Sequence, residues 1–203
     1  MSKISIVKQS RREGYALHPK AHKALVKRST LPGKQPGFSS RNKPSQYSLQ
    51  LREKQKVKRL YGLLERQFAK LMTEASRTKG QSGLVLLRFL ELRLDNAVYR
   101  AGFAPSRPAA RQLVSHGHFM VNDRRVDIPS IRVQSGDVIA LRPHSAANSY
   151  FQRLDEVSPA GEVIYSWMKV NRKNRALTIT GEPTREEAEP GINEQLIVEY
   201  YSR

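Results

Sequence analysis

The chain contains no cysteine. That excludes disulfides, thiolate nucleophiles, iron–sulfur clusters and every Cys-based zinc site, and it suits a reducing compartment. No apolar run approaches the roughly 18 residues needed to cross a bilayer. Residues 1–10 lack the apolar segment of a secretory signal. Together these features lead us to expect a cytoplasmic protein without a membrane partner. The phosphate loop GxxxxGK[ST] and the motifs GxGxxG, HExxH and GxSxG are also missing, so neither catalytic residues nor a cofactor are expected. His18 and His22 stand at i, i+4, a spacing that can hold a metal on a helix. No third ligand is close in sequence, and no metal is expected. Asp95, beside Arg93 in a helical stretch, reads more simply as an ion-pair partner than as a catalytic carboxylate.

What the chain has in excess is positive charge. It carries 36 Lys+Arg against 18 Asp+Glu among 203 residues, a net +18. Residues 1–80 hold 20 basic and 4 acidic side chains, net +16, whereas residues 81–203 hold 16 and 14, net +2. An asymmetry of this size implies a polyanion held by the charged half, because neutralising phosphates releases condensed counterions. An anionic membrane surface is the competing partner. It would call for aromatic anchors beside the lysines, and the only tryptophan, Trp167, lies far from them. Residues 154–203 are net −3. Their acidic run, which includes Glu194 and Glu199, faces either solvent or a basic protein.

Residues 1–46 read as a loose basic arm punctuated by Gly14, Pro19, Pro32, Gly33, Pro36, Gly37 and Pro44, with a short helix possible over 18–27. From Ser48, a candidate cap, apolar residues recur at Val57, Leu60, Tyr61, Leu64, Phe68, Leu71 and Met72, the repeat of a buried helical face. Gly62 is placed to split this stretch in two. A further helix is expected over 84–101, stopped by Gly102. Ser106 caps a short one, with Ala110, Leu113 and Val114 on its apolar side. Alternating segments 119–121, 125–128, 131–133 and 138–141 read as strands, giving a compact α+β unit of two helices, a hairpin and a strand. Residues 143–160 read as a polar linker. Strands over 163–170 and 176–180 and a helix from Asn193, with Leu196, Ile197 and Tyr200 inward, complete the chain.

The start of the helix at Ser106 leaves free backbone N–H groups and a positive dipole end beside Arg107, a natural phosphate site. Arg107 and Arg111 share one face and Arg100 approaches from the preceding helix; the bland alternative is that these arginines only solubilise. Tyr99, Phe103 and Phe119 could stack on bases, although aromatics beside helix ends are more often core.

The run Arg93-Leu-Asp-Asn-Ala-Val-Tyr-Arg-Ala-Gly-Phe103, then Ser106-Arg107, Ala110-Arg-Gln-Leu-Val-Ser-His-Gly-His118 and Val121-Asn122, resembles the S-four RNA-binding module. That module also occurs in pseudouridine synthases and tyrosyl-tRNA synthetases, but no remaining segment here is long enough for a catalytic domain of its own. Ser10-Arg-Arg-Glu-Gly14, Gln50-Leu-Arg-Glu-Lys-Gln-Lys-Val57, Leu64-Glu-Arg-Gln-Phe68 and the C-terminal run from Ile192 to Arg203 are similar to the bacterial small-subunit ribosomal protein number four family, in order and over nearly the whole chain.

The resemblance implies an α+β fold: a mostly helical lobe, made from the N-terminal region and the C-terminal tail, with an inserted small helix–helix–β-hairpin RNA-binding module. The expected segments are a basic RNA-binding arm (1–46), the helical lobe (47–91), the module (92–153) and a tail completing the lobe (154–203). It further implies a structural, non-enzymatic role: binding the 5′ domain of 16S rRNA early, nucleating the body of the 30S subunit, and touching mRNA where it enters and the ribosomal protein numbered five. An influence on decoding accuracy follows from that position. Expected RNA contacts are Lys8, Arg11, Arg12, Arg28, Arg41 and Lys43 in the arm, then Arg52, Lys54, Lys56, Lys58, Arg59 and Arg66 on the helices. In the module they are Arg93, Arg100, Ser106, Arg107, Arg111, His116 and His118; Glu194, Glu199 and Tyr200 are expected to meet a protein neighbour. The chain departs from the family in lacking the arm's Cys cluster, in having Ser45 and Gln46 after Arg41 and Lys43, and in turning its hairpin on Asn122-Asp123.

Overall fold

The computed structural model describes residues 5–28, 30–33, 44–159 and 165–202. It divides into two compact units, Met1–Gly83 with Gly191–Arg203, and Leu84–Pro190. The segment 154–190, expected to complete the helical lobe, belongs instead to the second unit. Only the last stretch returns to the first.

The first unit is helical. α1 (Ile6–Glu13) was not expected within a loose arm; Gly14 ends it in a left-handed conformation at φ 62°. A 3-10 turn (Pro19–Ala21) and α2 (His22–Lys27) follow, and Ser10, Leu17 and Ala21 are buried. α3 (Gln46–Leu60) starts three residues earlier than expected, because the cap is Ser45, whose hydroxyl accepts the Ser48 N–H. Gly62 (φ 65°) breaks the helix as its sequence position predicts, and α4 (Glu65–Arg77) resumes it. Val57 and Leu60 of α3 and Phe68, Met72 and Ala75 of α4 form the buried faces. α10 (Glu194–Tyr201), capped by Asn193, packs on α3 and buries Ile197.

In the second unit the single helix expected over 84–101 is two. α5 (Ser82–Glu91) stops, Arg93 is extended, and α6 (Leu94–Arg100) begins. The break is made by segment 131–133, expected as a strand. It forms an isolated bridge to Arg93, with Val133 N–H donating to Leu92 O (2.9 Å) and Leu94 N–H to Ile131 O (2.8 Å). Periodicity cannot register such a break, since both helices keep their apolar faces in phase. α7 (Arg107–Ser115) is capped by Ser106, as expected.

β1 (Phe119–Val121), β2 (Arg124–Val126) and β3 (Val138–Leu141) are joined by β4 (Met168–Asn171) and β5 (Ala176–Ile179) in one antiparallel sheet of order β2-β1-β3-β5-β4. The expected linker 143–160 instead forms a 3-10 turn (Pro143–Ala147), α8 (Ser149–Gln152) and α9 (Leu154–Val157), which bury Phe151 and Leu154. One core unites Leu94, Ala97 and Val98 of α6, Ala110 and Val114 of α7, and Phe119, Ile139, Trp167, Leu177 and Ile179 of the sheet region. Phe103 and Phe119, weighed as base-stacking residues, are core at 1% exposure each.

Candidate nucleic-acid interface

Four arginines flagged by the sequence converge beside α6 and α7, together with three carboxylates. Arg93 makes a two-point contact with Asp95 (3.1 and 2.8 Å), and Arg111 reaches the same carboxylate at 3.3 Å. Arg100 grips Glu91 at 3.0 and 2.7 Å and donates to the Tyr165 hydroxyl at 2.8 Å. Arg107 donates to Asn96 Oδ1 (2.8 Å) and Glu189 (2.6 Å) and lies over the Tyr99 ring. Glu189 also pairs with Arg100 at 3.3 Å. Side-chain exposure is 5% for Arg93, 9% for Arg100, 11% for Arg107 and 38% for Arg111, so Arg111 alone of the four offers much of its guanidinium to solvent.

The start of α7 offers fewer donors than its sequence implies. Ser106 Oγ accepts the Ala109 N–H (3.4 Å), Ala110 N–H bonds to Ser106 O, and Pro108 has no N–H. Ser106 is itself buried. The expected phosphate site there is largely satisfied from within.

The other end of α7 is different. His116 closes the helix, and Gly117 turns the chain at φ 69°, its N–H donating to Val114 O (2.8 Å). Across the β1–β2 pair, Arg125 lays its guanidinium over this glycine: a Cβ at 117 would stand 2.8 Å from its Nε. Arg142, just past β3, donates to Gly117 O (3.1 Å), and its own N–H bonds to His118 O (2.8 Å). The His118 ring meets Ser145 Oγ at 3.0 Å. Burial pushes the His118 pKa below the ordinary histidine value, helped by His116 and Arg142. Arg125 and Arg142 were missed by sequence reading. Their signal is cross-strand register, which places Arg125 opposite Met120, one strand away from a turn remote in sequence.

In the first unit Lys8, Arg12, Arg28 and Arg66 are exposed, whereas Arg11 is turned to Thr30 O (3.0 and 2.8 Å). Arg41 and Lys43 lie outside the described residues. Along α3 the expected cationic face is mostly paired. Arg52 and Arg59 both hold the buried Glu13 carboxylate, Lys56 holds Glu53 (2.7 Å) and Gly191 O (2.7 Å), and Lys54 and Lys58 both hold Glu65 (2.7 Å each). Burial raises the Glu13 pKa against the pull of Arg52 and Arg59. Burial alone would raise Glu65 too, but the hydrogen bonds from Lys54 and Lys58 outweigh it and hold it at about 2.

Of the three residues expected to meet a protein neighbour, Glu199 and Tyr200 serve the α10–α3 contact. Glu199 accepts from Gln50 (2.9 Å), and Tyr200 packs near Tyr47 with Lys54 over its ring. Glu194 comes so close to Gly83 that a Cβ there would stand 2.9 Å away. Among the described residues no group of three His, Asp or Glu side chains is arranged to hold a metal, and no helix is long and apolar enough to cross a membrane.

Two family models cover adjacent parts of the chain. "Ribosomal protein S4/S9 N-terminal domain" matches residues 3–91 and "S4 domain" matches residues 92–139. The chain is 49% identical over 197 residues to the small ribosomal subunit protein uS4 of Chloroflexus aurantiacus, covering 97% of this chain and 96% of that one. It is 48% identical over 204 residues to the protein of the same name in Herpetosiphon aurantiacus, with 98% and 97% covered. The corresponding figures for Chlorobium phaeovibrioides are 48% over 199 residues, 98% and 97%. With two domain models in tandem and near-half identity from end to end, the chain belongs to the family of small ribosomal subunit protein uS4.

Proposed function

We propose that this protein, a ribosomal protein and not an enzyme, is a primary binder of 16S rRNA that nucleates the body of the 30S subunit through the 5′ domain. The observation that carries this reading is the excess of +16 over residues 1–80, with Lys8, Arg12, Arg28 and Arg66 presented to solvent on a unit of packed helices. Cations fixed on a rigid scaffold recognise the shape of folded RNA through its phosphates rather than through base edges. The buried arginines of the second unit serve that recognition indirectly, by holding α6 and α7 in place. A contact with mRNA where it enters, a contact with the ribosomal protein numbered five and an effect on accuracy rest on the family resemblance alone.

The test is a titration of a 16S 5′-domain transcript with the purified full chain at several salt concentrations. Tight binding is expected, with log K falling linearly against log salt at about 0.7–0.9 per phosphate contact. Failure to bind at moderate ionic strength, or absence of the protein from salt-washed 30S particles, overturns the proposal.

A further inference from the structure

We propose that the corner around Gly117 is a binding site for a backbone phosphate of RNA, built by the guanidiniums of Arg125 and Arg142 with the imidazoles of His116 and His118. This rests on the RNA-binding reading and gives it a location in the second unit. The site is assembled from three places: the end of α7, β2, and the residue after β3. Gly117 joins them. Arg142 is anchored on its carbonyl, and Arg125 lies across the space where any other residue would carry a Cβ.

The charge balance sets this corner apart. Arg93, Arg100, Arg107 and Arg111 each have a carboxylate within 3.3 Å. No ion pair joins Arg125 or Arg142 to an acidic side chain among the described residues, and Arg142 is held in place by its bond to Gly117 O. Both guanidiniums lie against Gly117 without a carboxylate of their own, an arrangement that a bound anion suits. Among the described residues no hydrogen bond of the Arg125 side chain is found, and the residue is exposed, so its planar fork is open to an oxyanion. The two rings stand 6.0 Å apart, within the same patch. No large apolar side chain is exposed at 116–125 or at 142, so the corner lacks what insertion into a lipid surface requires.

The experiment compares the wild type with Arg125→Ala, Arg142→Ala and Gly117→Ala on the 5′-domain transcript, across a salt series. Each arginine variant is expected to lower the log–log salt slope by about one unit. Gly117→Ala leaves every charge in place but forces Arg125 aside, and is expected to weaken binding roughly tenfold. Because φ 69° strains an alanine, thermal melts accompany it, and Arg125→Lys provides a variant free of that strain: it is expected to keep the slope but bind more weakly, having lost the fork. A wild type that binds steeply, with arginine variants of unchanged slope, overturns the site and leaves the RNA-binding reading standing. A wild type that ignores RNA overturns both. Capture on phosphatidylserine vesicles, lost in Arg125→Ala and with no change in RNA slope, overturns the RNA assignment of the corner.

Discussion

The two ends of α7 carry similar numbers of basic groups and treat them in opposite ways. At its start, arginines are sunk among Glu91, Asp95 and Glu189 with partners at 2.6–3.3 Å. At its end, Arg125 and Arg142 have no carboxylate partner among the described residues. Residue type alone assigns the first group to RNA, because arginine beside a helix N-terminus is the phosphate pattern. The difference shows that a guanidinium is available to a ligand only after the fold's own carboxylates have been counted. Buried pairs of this kind hold elements in register, and they are costly to break, because the surviving partner is left without water or counter-charge.

This contrast can be broken in several ways. The largest effect is expected from Glu91→Ala, which strips Arg100 of its main partner in a side chain 1% exposed: a loss of about 3–5 kcal/mol in chemical denaturation. A loss below about 1 kcal/mol would show that the network does not hold α6 in place.

Next, Arg107→Ala should cost about 1–3 kcal/mol of stability while leaving the RNA salt slope unchanged, whereas Arg111→Ala should lower that slope by up to about one unit. Equal slopes for the two would erase the distinction drawn from their exposures.

A smaller effect separates the units by pH. His118 resists protonation in the folded state, so the unfolded chain binds the extra proton, and stability is complete above the ordinary histidine pKa and lost as pH falls below it. Glu65 has the opposite origin: its pKa is held at about 2, so its contribution is present above the ordinary carboxylate value of 4.5 and fades toward pH 2. Melting temperatures across pH should lose their mildly acidic step in His118→Gln and their strongly acidic step in Glu65→Gln.

The smallest change concerns the β1–β2 turn, where Asn122 (φ 48°) and Asp123 (φ 62°) are both left-handed. Asp123→Gly relieves one such residue and should stabilise by up to about 1 kcal/mol in the same denaturation assay.

The sequence made the local features legible. Gly62 and Gly102 each stop a helix where expected, Ser106 and Asn193 cap, and the hairpin turns on Asn122-Asp123. These depend on backbone chemistry within a few residues. Features made by distant segments were not legible. The break at Arg93 is caused by residues 131–133, and the sheet is completed by β4 and β5, about thirty residues beyond β3 in a stretch read as tail. Arg107 is neutralised by Glu189, 82 positions away. In the arm, α1 escaped notice because its apolar residues are few and glycine and proline surround it. Net charge pointed to residues 1–80, and pairing, which needs coordinates, separates the open cations from the neutralised ones in both units.

The division of the chain also orders its synthesis. The second unit is one uninterrupted stretch, Leu84–Pro190, whereas the first is closed by Gly191–Arg203 returning to α3. A ribosome adding about 5–20 residues per second needs several seconds to more than twenty to make the 107 residues from Leu84 to Pro190. Throughout that interval the nascent helices α3 and α4 exist without the strip that Ile197 and Tyr201 cover. The part made first is therefore the last to be finished, and a chaperone or an early RNA contact has its opportunity during that wait.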